Sequence, residues 1–392
     1  MNLNLEEIKN KILTDVKYQI IILIIVLLVF AYILFKPNKP KRQTPCYNLH
    51  LKVWANFDKD KFLSFISPFS SKYCLYFDYY KKDFDNLEKD FIYALAGREA
   101  PDLIYAPNYI IYRNKKYLQE INLNLPKPLF LETEIENLGV PVNIDSLTFI
   151  YNKRIFDFFN YQPPTTISEL NNLLADFKNK NIKDFYLIAL GTNEVKNKKE
   201  IILVLKTLEK KSLDQTINDY YNYSDEKSPN FALKRGLGSQ DISLFANEKV
   251  GAFIGFYEDL KSVLRLNPRI SYGVSQNPLE TFPPTGKNFV KAFYFAIPKN
   301  SSNHEKTILF LKWLLEEKNY EKFIEEMDLI PIFKVSSIEP PKDIFQKNAE
   351  YGSSYLDLIS LDDYPQFEKV LDVWENNPNE GRRALELLNL RF

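Results

Sequence analysis

The chain has 392 residues, of which 45% are hydrophobic, and it carries 51 basic and 51 acidic side chains. It is long enough for two domains of ordinary size and apolar enough to fill a core without disulfide or metal support. The balanced charge argues against nucleic acid as a partner, because Lys and Arg cluster only in one short segment. With 25 Tyr and 30 Phe, the chain has aromatic rings to spare for a ligand surface.

The first predicted element is an apolar helix near the N-terminus. Residues 18–35 carry no charge and lie between Lys17 and Lys36. At about 1.5 Å per residue they span roughly 27 Å, close to the thickness of a bilayer's hydrocarbon core. A cleaved signal peptide is the alternative, but its apolar region is usually shorter and no small-residue cleavage site follows Phe35. We therefore expect an uncleaved transmembrane anchor over residues 18–35, preceded by an N-terminal segment over residues 1–17.

The segments that flank this helix give less information. Basic residues precede and follow it in nearly equal number, so the charges do not fix its orientation. The sequence before Cys46, "QTP", lacks the small apolar residues typical of a lipidated cysteine. Residues 36–46 contain three prolines and form the predicted linker, an extended spacer of roughly 30 Å.

Strands and helices alternate after the linker. Strands are predicted at 48–55, 72–80 and 101–107, with helices at 58–69 and 85–97 between them. Because parallel strands are joined by helical crossovers, this order predicts an α/β fold with a parallel sheet.

The regular alternation of strands and helices is interrupted at residues 139–156, "GVPVNIDSLTFIYNKRIF". Residues 140–145 are polar and interrupted by Pro141, and a strand, "SLTFIYN", follows at once. A connection of this kind carries a chain from one globular unit into a second. Further on, Thr166 is predicted to cap a helix, with Glu169 three residues later completing a capping box.

The C-terminal part continues the alternation. Strands are predicted at 184–191, 249–256 and 289–298, followed by one helix over 304–327 and a helical C-terminus.

Signatures of catalysis are weak. The chain has two His residues, His50 and His304, and neither accompanies a nucleophile elbow, which argues against a catalytic triad and a His-rich metal site. "TGK" at 285–287 and "GLG" at 236–238 lack the other residues of a phosphate-binding loop and are interpreted as turns. Glycosidases use a pair of carboxylates, and a chain with 51 acidic residues contains such pairs, so a glycan-active enzyme stays an alternative.

Cys46 and Cys74 are the only cysteines. Cys46 precedes the first predicted strand and Cys74 lies in the second, so neighbouring parallel strands bring a disulfide within reach. Outside the cytosol such a bond would stabilise the fold by about 3 to 4 kcal/mol. One buried and one exposed thiol is the alternative.

Six motifs in order resemble the extracellular solute-binding proteins of ABC importers, in the sugar-binding branch that includes maltodextrin-binding protein. The resemblance covers about residues 49–392. The motifs are "HLKVWANFDKDKF", "ALAGREAPDLIYAP", "VPVNIDSLTFIYNKRIF", "PPTTISELNNL", "FANEKVGAFIGF" and "FAIPKNSSNHEKTILFLKWLL".

This resemblance implies a two-lobed periplasmic-binding-protein-like fold of type II, here preceded by one transmembrane helix. The first lobe would comprise about 47–141 and 289–330, and the second about 146–288 and 331–392. Val140, Pro141 and Asn143 would belong to the hinge. Such lobes close on a ligand that touches both of them, so binding shifts an equilibrium between open and closed forms.

The resemblance also implies a set of ligand contacts. They are Trp54, Asn56, Asp58, Lys59, Tyr105, Asn108, Asp145 and Tyr257. Aromatic rings suit the flat C–H faces of sugars, and the polar groups suit hydroxyls. Phe57 and Asn108 depart from the family pattern, which implies a pocket different from a maltodextrin site.

The expected function is that of a membrane-anchored, extracytoplasmic binding component of an ABC importer. Its ligand would be a small polar solute, foremost a mono- or oligosaccharide, and its partner the permease subunits. No catalytic residue, cofactor or metal is expected. An anchored glycan-active enzyme and a sensory or structural module with the same fold are the alternatives.

Overall fold

The computed structural model describes residues 16–35, 46–130, 135–208, 211–279, 288–350, 352–354 and 364–387. The chain divides into two compact units, residues 1–47 and 48–392. Residues 1–15, most of the predicted linker and the "TGK" turn lie outside the described residues.

The N-terminal unit contains one helix, α1, over Val16–Phe35. Its sequence has no Pro or Gly, which favours an unbroken helix. Counting only the residues that are described, no helix of the chain is both long and apolar enough to cross a membrane.

The second unit is built from strands that alternate with helices. The strands are β1 Leu49–Ala55, β2 Leu75–Lys81, β3 Leu103–Pro107, β4 Val140–Ser146, β5 Thr148–Asn152, β6 Tyr186–Ala189, β7 Val250–Gly255, β8 Tyr272–Ser275, β9 Asn288–Ala296, β10 Ile330–Pro331 and β11 Gly352–Ser353.

The helices of this unit follow α1 in the numbering. They are α2 Lys59–Tyr73, α3 Phe84–Ala96, α4 Asn108–Arg113, α5 Lys153–Phe159, α6 Ile167–Asn179, α7 Lys198–Leu208, α8 Leu213–Asn222, α9 Asp241–Ala246, α10 Tyr257–Leu266, α11 His304–Leu314, α12 Glu317–Glu326, α13 Lys342–Ala349, α14 Tyr364–Asn376 and α15 Pro378–Glu386.

Two sheets organise these elements into two lobes. The first has the order β10-β4-β9-β3-β1-β2, with β11 beside β9, and the second has the order β6-β7-β5-β8. In the first sheet β1 runs parallel to β2 and β3, as the alternating pattern predicts, whereas β9 is antiparallel to β3 and β4. We call the first sheet with its helices the first lobe and the second sheet with its helices the second lobe.

The polar stretch after Gly139 is a strand rather than an irregular connection. Val140–Ser146 forms β4, which pairs with β9 and passes through Leu147 directly into β5 of the second sheet. The pairing register shifts between Pro141 and Asn143, and such a bulge lets the strand accommodate a proline that cannot donate to the ladder.

The single helix predicted over 304–327 is two helices, α11 and α12. Glu316 lies between them with an extended backbone, φ −61° and ψ 129°. The side chain of Asn319 donates from Nδ2 to the carbonyl oxygen of Trp313 at 2.8 Å. An amide side chain therefore replaces part of the backbone hydrogen bonding that the continuous helix would have supplied.

Helix α6 begins where the sequence predicts. Oγ1 of Thr166 accepts a hydrogen bond from the backbone N–H of Glu169 at 3.2 Å. The reciprocal contact differs from a standard capping box, because the Glu169 carboxylate accepts from the N–H and hydroxyl of Thr165 at 2.8 and 2.9 Å.

Aromatic rings fill the core of the first lobe. Helices α2, α11 and α12 contribute rings whose centroids lie about 5 to 6 Å apart, in tilted and edge-to-face pairs. These rings belong to Phe65, Phe69, Phe310, Trp313 and Phe323, with Phe77 of β2. Much of the high aromatic content is therefore structural.

Candidate ligand-binding cleft

A cleft of about 560 Å3 opens between the first sheet and helix α10 of the second lobe. Its walls include the residues that follow β1 and β2 at their carboxyl ends, which is where open α/β sheets bind ligands. The lining residues are Asn56, Phe57, Asp58, Lys61, Lys81, Asp83, Phe84, Tyr105, Asn143, Ile144, Asp145, Tyr257, Glu258, Lys261, Arg265, Phe293, Met327, Asp328, Leu329 and Ile330.

Four aromatic rings lie together at the first-lobe side of this cleft. The ring of Tyr105 is stacked on Phe293 with centroids 5.7 Å apart and lies 4.4 Å from Phe57. Phe84 lies 5.9 Å from Tyr105 and 5.5 Å from Phe293. Phe84 and Phe293 are only half-buried, so the cluster offers an apolar surface to a ligand.

Tyr105 is fixed by a buried hydrogen bond to β4. Its hydroxyl donates to Oδ1 of Asn143 at 2.6 Å, and both residues are almost fully buried. Burial raises the pKa of the Tyr105 hydroxyl well above its ordinary value, although the bond to Asn143 opposes this effect. The hydroxyl therefore stays protonated and acts as a donor.

The loop after β1 supplies polar groups at the cleft. Asp58 caps helix α2, because its Oδ1 accepts from the backbone N–H groups of Asp60 and Lys61 at 3.1 and 3.0 Å. Its side chain is exposed in the cleft wall, as is that of Lys61. Asn56 is half-buried beside them.

Asp145 lies at the end of β4, close to the point where the chain enters the second lobe. Its Oδ1 accepts from the N–H groups of Ser146 and Tyr257, both at 2.9 Å, and its Oδ2 accepts from the N–H of Glu258 at 3.2 Å. Burial raises the pKa of Asp145 to about 7, although the N–H donors of Tyr257 and Glu258 favour the ionised form. Its two oxygens are thus largely occupied by backbone donors.

Helix α10 forms the second-lobe wall of the cleft. Tyr257 begins the helix, and Glu258, Lys261 and Arg265 follow on one face at helical spacing. The ammonium of Lys261 lies 2.8 Å from Oε2 of Glu258, and Nη2 of Arg265 lies 3.5 Å from Oε1 of the same carboxylate. These charges give the wall donors and acceptors suited to a polar solute.

Asp328 joins the wall from the segment between α12 and β10. Its Oδ1 accepts from the hydroxyl of Tyr257 at 2.9 Å and lies 2.6 Å from Nζ of Lys342. Partial burial alone would raise the pKa of Asp328, but Lys342 and the Tyr257 hydroxyl outweigh it and lower that pKa.

Five of the eight predicted ligand contacts line this cleft. They are Asn56, Asp58, Tyr105, Asp145 and Tyr257. All three predicted hinge residues, Val140, Pro141 and Asn143, lie in β4. Asn143 also lines the cleft.

The other three predicted contacts are not among the lining residues. Trp54 is buried in β1, with the ammonium of Lys82 4.5 Å from its ring centroid. Asn108 is fully buried at the first residue of α4. Lys59 is exposed in the first turn of α2.

Several lining residues did not emerge from the sequence. Glu258, Lys261 and Arg265 carry a readable signal, since residues at i, i+3 and i+7 share one face of a helix. Phe84 and Phe293 are single aromatic residues in a chain rich in them, and Asp328 lies at a helix end without a distinctive pattern. Sequence offers no comparable signal for these three.

The histidines and cysteines of the chain are not among the residues that line the cleft. Within the described residues, no group of three or more His, Cys, Asp or Glu side chains could hold a metal ion. His50 lies with Nδ1 3.0 Å from Oδ1 of Asp78, and His304 lies with Nε2 2.9 Å from the carbonyl oxygen of Pro298. Cys46 and Cys74 are both disulfide-bonded.

Three solved structures of solute-binding proteins have a similar fold. One from Thermotoga lettingae, bound with α-D-tagatose, has a TM-score of 0.66 and 18% identity and covers 86% of this chain and 98% of its own. A Staphylococcus aureus protein in complex with maltose has a TM-score of 0.65 and 15% identity, covering 86% and 95%. The maltotriose-binding protein of Thermus thermophilus has a TM-score of 0.64 and 13% identity, covering 86% and 97%. At these identities the similarity shows the fold.

Comparison with curated proteins gives no significant match. The sequence profile of the family described as "Bacterial extracellular solute-binding protein" matches residues 81–352. This match covers the whole second sheet, the first sheet from β3 to the start of β11, and most of the residues that line the cleft. The chain therefore belongs to the bacterial extracellular solute-binding proteins.

Proposed function

We propose that the protein is the binding component of an ABC importer and captures a small polar solute, foremost a carbohydrate, in the cleft between its two lobes. The observation that carries the proposal is the composition of the cleft, where an aromatic surface from the first lobe faces polar and charged side chains from the second. Closure of the lobes would bring both surfaces onto one ligand.

A carbohydrate is favoured by the pairing of ring faces with hydroxyl-binding groups. Phe84 and Phe293, the two half-buried rings of the cluster, offer apolar area for the C–H face of a sugar, while Asn56 and Asp58 offer hydrogen-bonding groups at the same end of the sheet. Tagatose, maltose and maltotriose in the structurally similar proteins support the same ligand class.

Ligand contacts are assigned to four of the predicted residues. Asn56, Asp58 and Tyr105 would contact the ligand from the first lobe, and Tyr257 would contact it from the second. Lobe boundaries near residues 141, 146 and 289 follow from the resemblance described above, with β4 and β9 as the crossing strands. The resemblance implies a last boundary near residue 331, but β10 and β11 pair in the first sheet and would keep the chain in the first lobe up to residue 353.

The N-terminal helix would anchor the binding domain to the cell membrane. This part of the proposal rests on the sequence, in which residues 18–35 are uncharged between two lysines. A helix of that length spans roughly 27 Å. The binding domain would then lie outside the cytoplasm, beside the permease subunits, with residues 1–17 inside and the linker at 36–46.

A thermal-shift screen of the full-length chain in detergent tests the ligand class. The panel comprises monosaccharides, maltodextrins, amino acids and polyols. A ligand present at about 100 times its dissociation constant adds roughly 2.7 kcal/mol to the stability of the folded state. We expect a rise in melting temperature with one or more sugars.

Two matched variants connect the shift to the cleft. Tyr257→Ala should reduce the rise, because weaker binding adds less stability, whereas Tyr93→Ala, at an exposed tyrosine that is not among the lining residues, should retain it in full. A rise only with amino acids would overturn the carbohydrate assignment, and a rise that is undiminished in Tyr257→Ala would overturn the assignment of the site.

A further inference from the structure

We propose that Asp328 is a positioning residue that, together with Asp145, fixes the ring of Tyr257 in the wall of the cleft. The inference rests on the proposed function, in which Tyr257 contacts the ligand from the second lobe. We call Asp145, Tyr257, Asp328 and Lys342 the Tyr257 clamp.

The backbone end of Tyr257 is held by Asp145. The Tyr257 N–H donates to Oδ1 of Asp145 at 2.9 Å, and the next N–H in the helix, that of Glu258, donates to Oδ2 at 3.2 Å. These are N–H groups of the first turn of α10, which have no partner within the helix. A carboxylate on β4 therefore fixes the direction in which α10 begins.

The hydroxyl end of Tyr257 is held by Asp328. The hydroxyl donates to Oδ1 of Asp328 at 2.9 Å, and Lys342 of α13 lies 2.6 Å from the same oxygen. Nζ of Lys261, one turn after Tyr257, donates to the carbonyl oxygen of Asp328 at 3.2 Å. Side chain and backbone of Asp328 thus both bind α10.

The backbone of Asp328 is shaped for this contact. Its φ is +53°, in the left-handed region that Asp adopts more readily than most residues. The chain turns there from α12 towards β10, and the turn directs the carboxylate to Tyr257. A residue without a side chain would keep the turn but lose the contact.

One carboxylate, that of Asp145, lies in β4, and the other, that of Asp328, lies two residues before β10, the neighbouring strand of the first lobe. Ile330 of β10 pairs with Ile144 of β4, so Asp328 and Asp145 flank one short ladder. Tyr257, by contrast, follows β7 of the second lobe. The tyrosine is therefore fixed at both ends to the opposite lobe, and its ring orientation depends on residues that need not touch the ligand.

The ring of Tyr257 also has close neighbours on its sides. Phe345 of α13 lies 5.4 Å away in an edge-to-face arrangement, and the ammonium groups of Lys261 and Lys342 lie 5.3 and 5.7 Å from the ring centroid. Without the bond to Asp328, a tyrosine side chain could rotate away from this position. We expect the loss of ring order to weaken ligand binding.

Three substitutions at Asp328 and Tyr257 separate positioning from direct contact. Asp328→Gly removes the carboxylate and keeps the left-handed turn, Asp328→Asn keeps an acceptor for the hydroxyl, and Tyr257→Ala removes the ring. Affinity is measured by calorimetric titration of the full-length chain with maltose and with α-D-tagatose. We expect Asp328→Gly to lower affinity about tenfold, a change of about 1.4 kcal/mol, and Asp328→Asn to restore most of it.

The decisive comparison is made in the Tyr257→Ala background. If Asp328 acts through the ring, Asp328→Gly has no further effect there, because the ring is already absent. A tenfold loss in that background would identify Asp328 as a direct ligand contact and overturn the proposal. Unchanged affinity of Asp328→Gly in the wild-type background would also overturn it.

A second readout requires no ligand. Fluorotyrosine is placed at position 257, and its fluorine resonance is recorded in the wild type, Asp328→Gly and Asp328→Asn, with the same label at Tyr105 as the control. We expect the signal of residue 257 to change in Asp328→Gly and to remain in Asp328→Asn, and the signal of residue 105 to be unaffected. An unchanged signal at 257 would overturn the clamp, whereas failure of every sugar in the thermal-shift panel to bind the wild type would overturn the sugar assignment alone.

Discussion

The hydroxyl of Tyr105 and the amide of Asn143 are joined by a 2.6 Å hydrogen bond that links β3 to the crossing strand β4. Tyr105→Phe removes the donor and leaves Oδ1 of a buried Asn without that partner. We expect a loss of about 1 to 3 kcal/mol in the free energy of unfolding. Urea denaturation followed by circular dichroism measures this loss.

A matched substitution separates the hydrogen bond from a general effect of losing a hydroxyl. Tyr93 is exposed on α3. Tyr93→Phe should leave the free energy of unfolding within about 0.5 kcal/mol of the wild type. Equal losses for the two variants would contradict the assigned role of the Tyr105 bond.

The raised pKa of the buried Asp241 carboxyl should make the stability of the fold depend on pH. The residue is fully buried in α9, and burial, reinforced by the charge of Asp259, raises its pKa to about 7. Since its pKa in an unfolded chain is about 4, the folded state binds the proton more tightly. The protonated carboxyl of Asp241 therefore contributes to the free energy of unfolding. This contribution is fully present below pH 4 and is lost as the pH rises through about 7.

The substitution Asp241→Asn tests this sign. Oδ1 of Asp241 accepts from the N–H groups of Lys196 and Ile242 at 3.2 and 3.0 Å, and an Asn can accept the same bonds without a charge. We expect the variant to gain stability relative to the wild type as the pH is raised from 5 to 8. A stability difference that does not vary with pH would rule out the assigned titration.

Truncation of Phe65 in the aromatic core is expected to leave a large cavity and to lower the stability of the fold. Its side chain is 1% exposed and contacts Trp313 and Phe323, with centroids 5.3 and 5.2 Å away. Phe65→Ala should lower the free energy of unfolding by about 3 to 5 kcal/mol. Phe158, which is 81% exposed, serves as the control, and a comparable loss for Phe158→Ala would argue against the described packing.

Asp58 has two separable roles, as the cap of α2 and as a proposed ligand contact. Asp58→Ala should cost about 1 kcal/mol of stability through loss of the cap. Asp58→Ser keeps a capping oxygen and should restore stability but not affinity for a sugar that binds the wild type. Recovery of both properties in the Ser variant would limit Asp58 to a capping role.

The sequence predicts the fold well because its signals are local and repeated. Alternation of β1, α2, β2, α3 and β3 predicts their parallel pairing, and the Thr166 cap predicts the start of α6. The break between α11 and α12 is missed, since it depends on Asn319 bonding to the Trp313 carbonyl. Helical propensity alone gives no warning of such a break.

The cleft is predicted less completely because its residues converge from distant parts of the chain. Tyr105 lies in a motif of the family and Tyr257 directly follows another, and both residues line the cleft. Trp54 alternates on β1 in a way that fits either a ligand surface or the core, and only packing distinguishes the two. Asp328 enters through a turn whose backbone angle is not readable from its neighbours.

The position of β9 has a consequence for how the protein is made. This strand lies between β3 and β4 in the first sheet, yet it comes from residues 288–296, after every strand of the second sheet. On the ribosome, β3 and β4 therefore lack the neighbour that joins them until all four strands of the second sheet have been synthesised. A nascent chain that stops before residue 288 leaves one edge of β3 and both edges of β4 unpaired and prone to aggregation, because β10, the other neighbour of β4, also comes later in the chain.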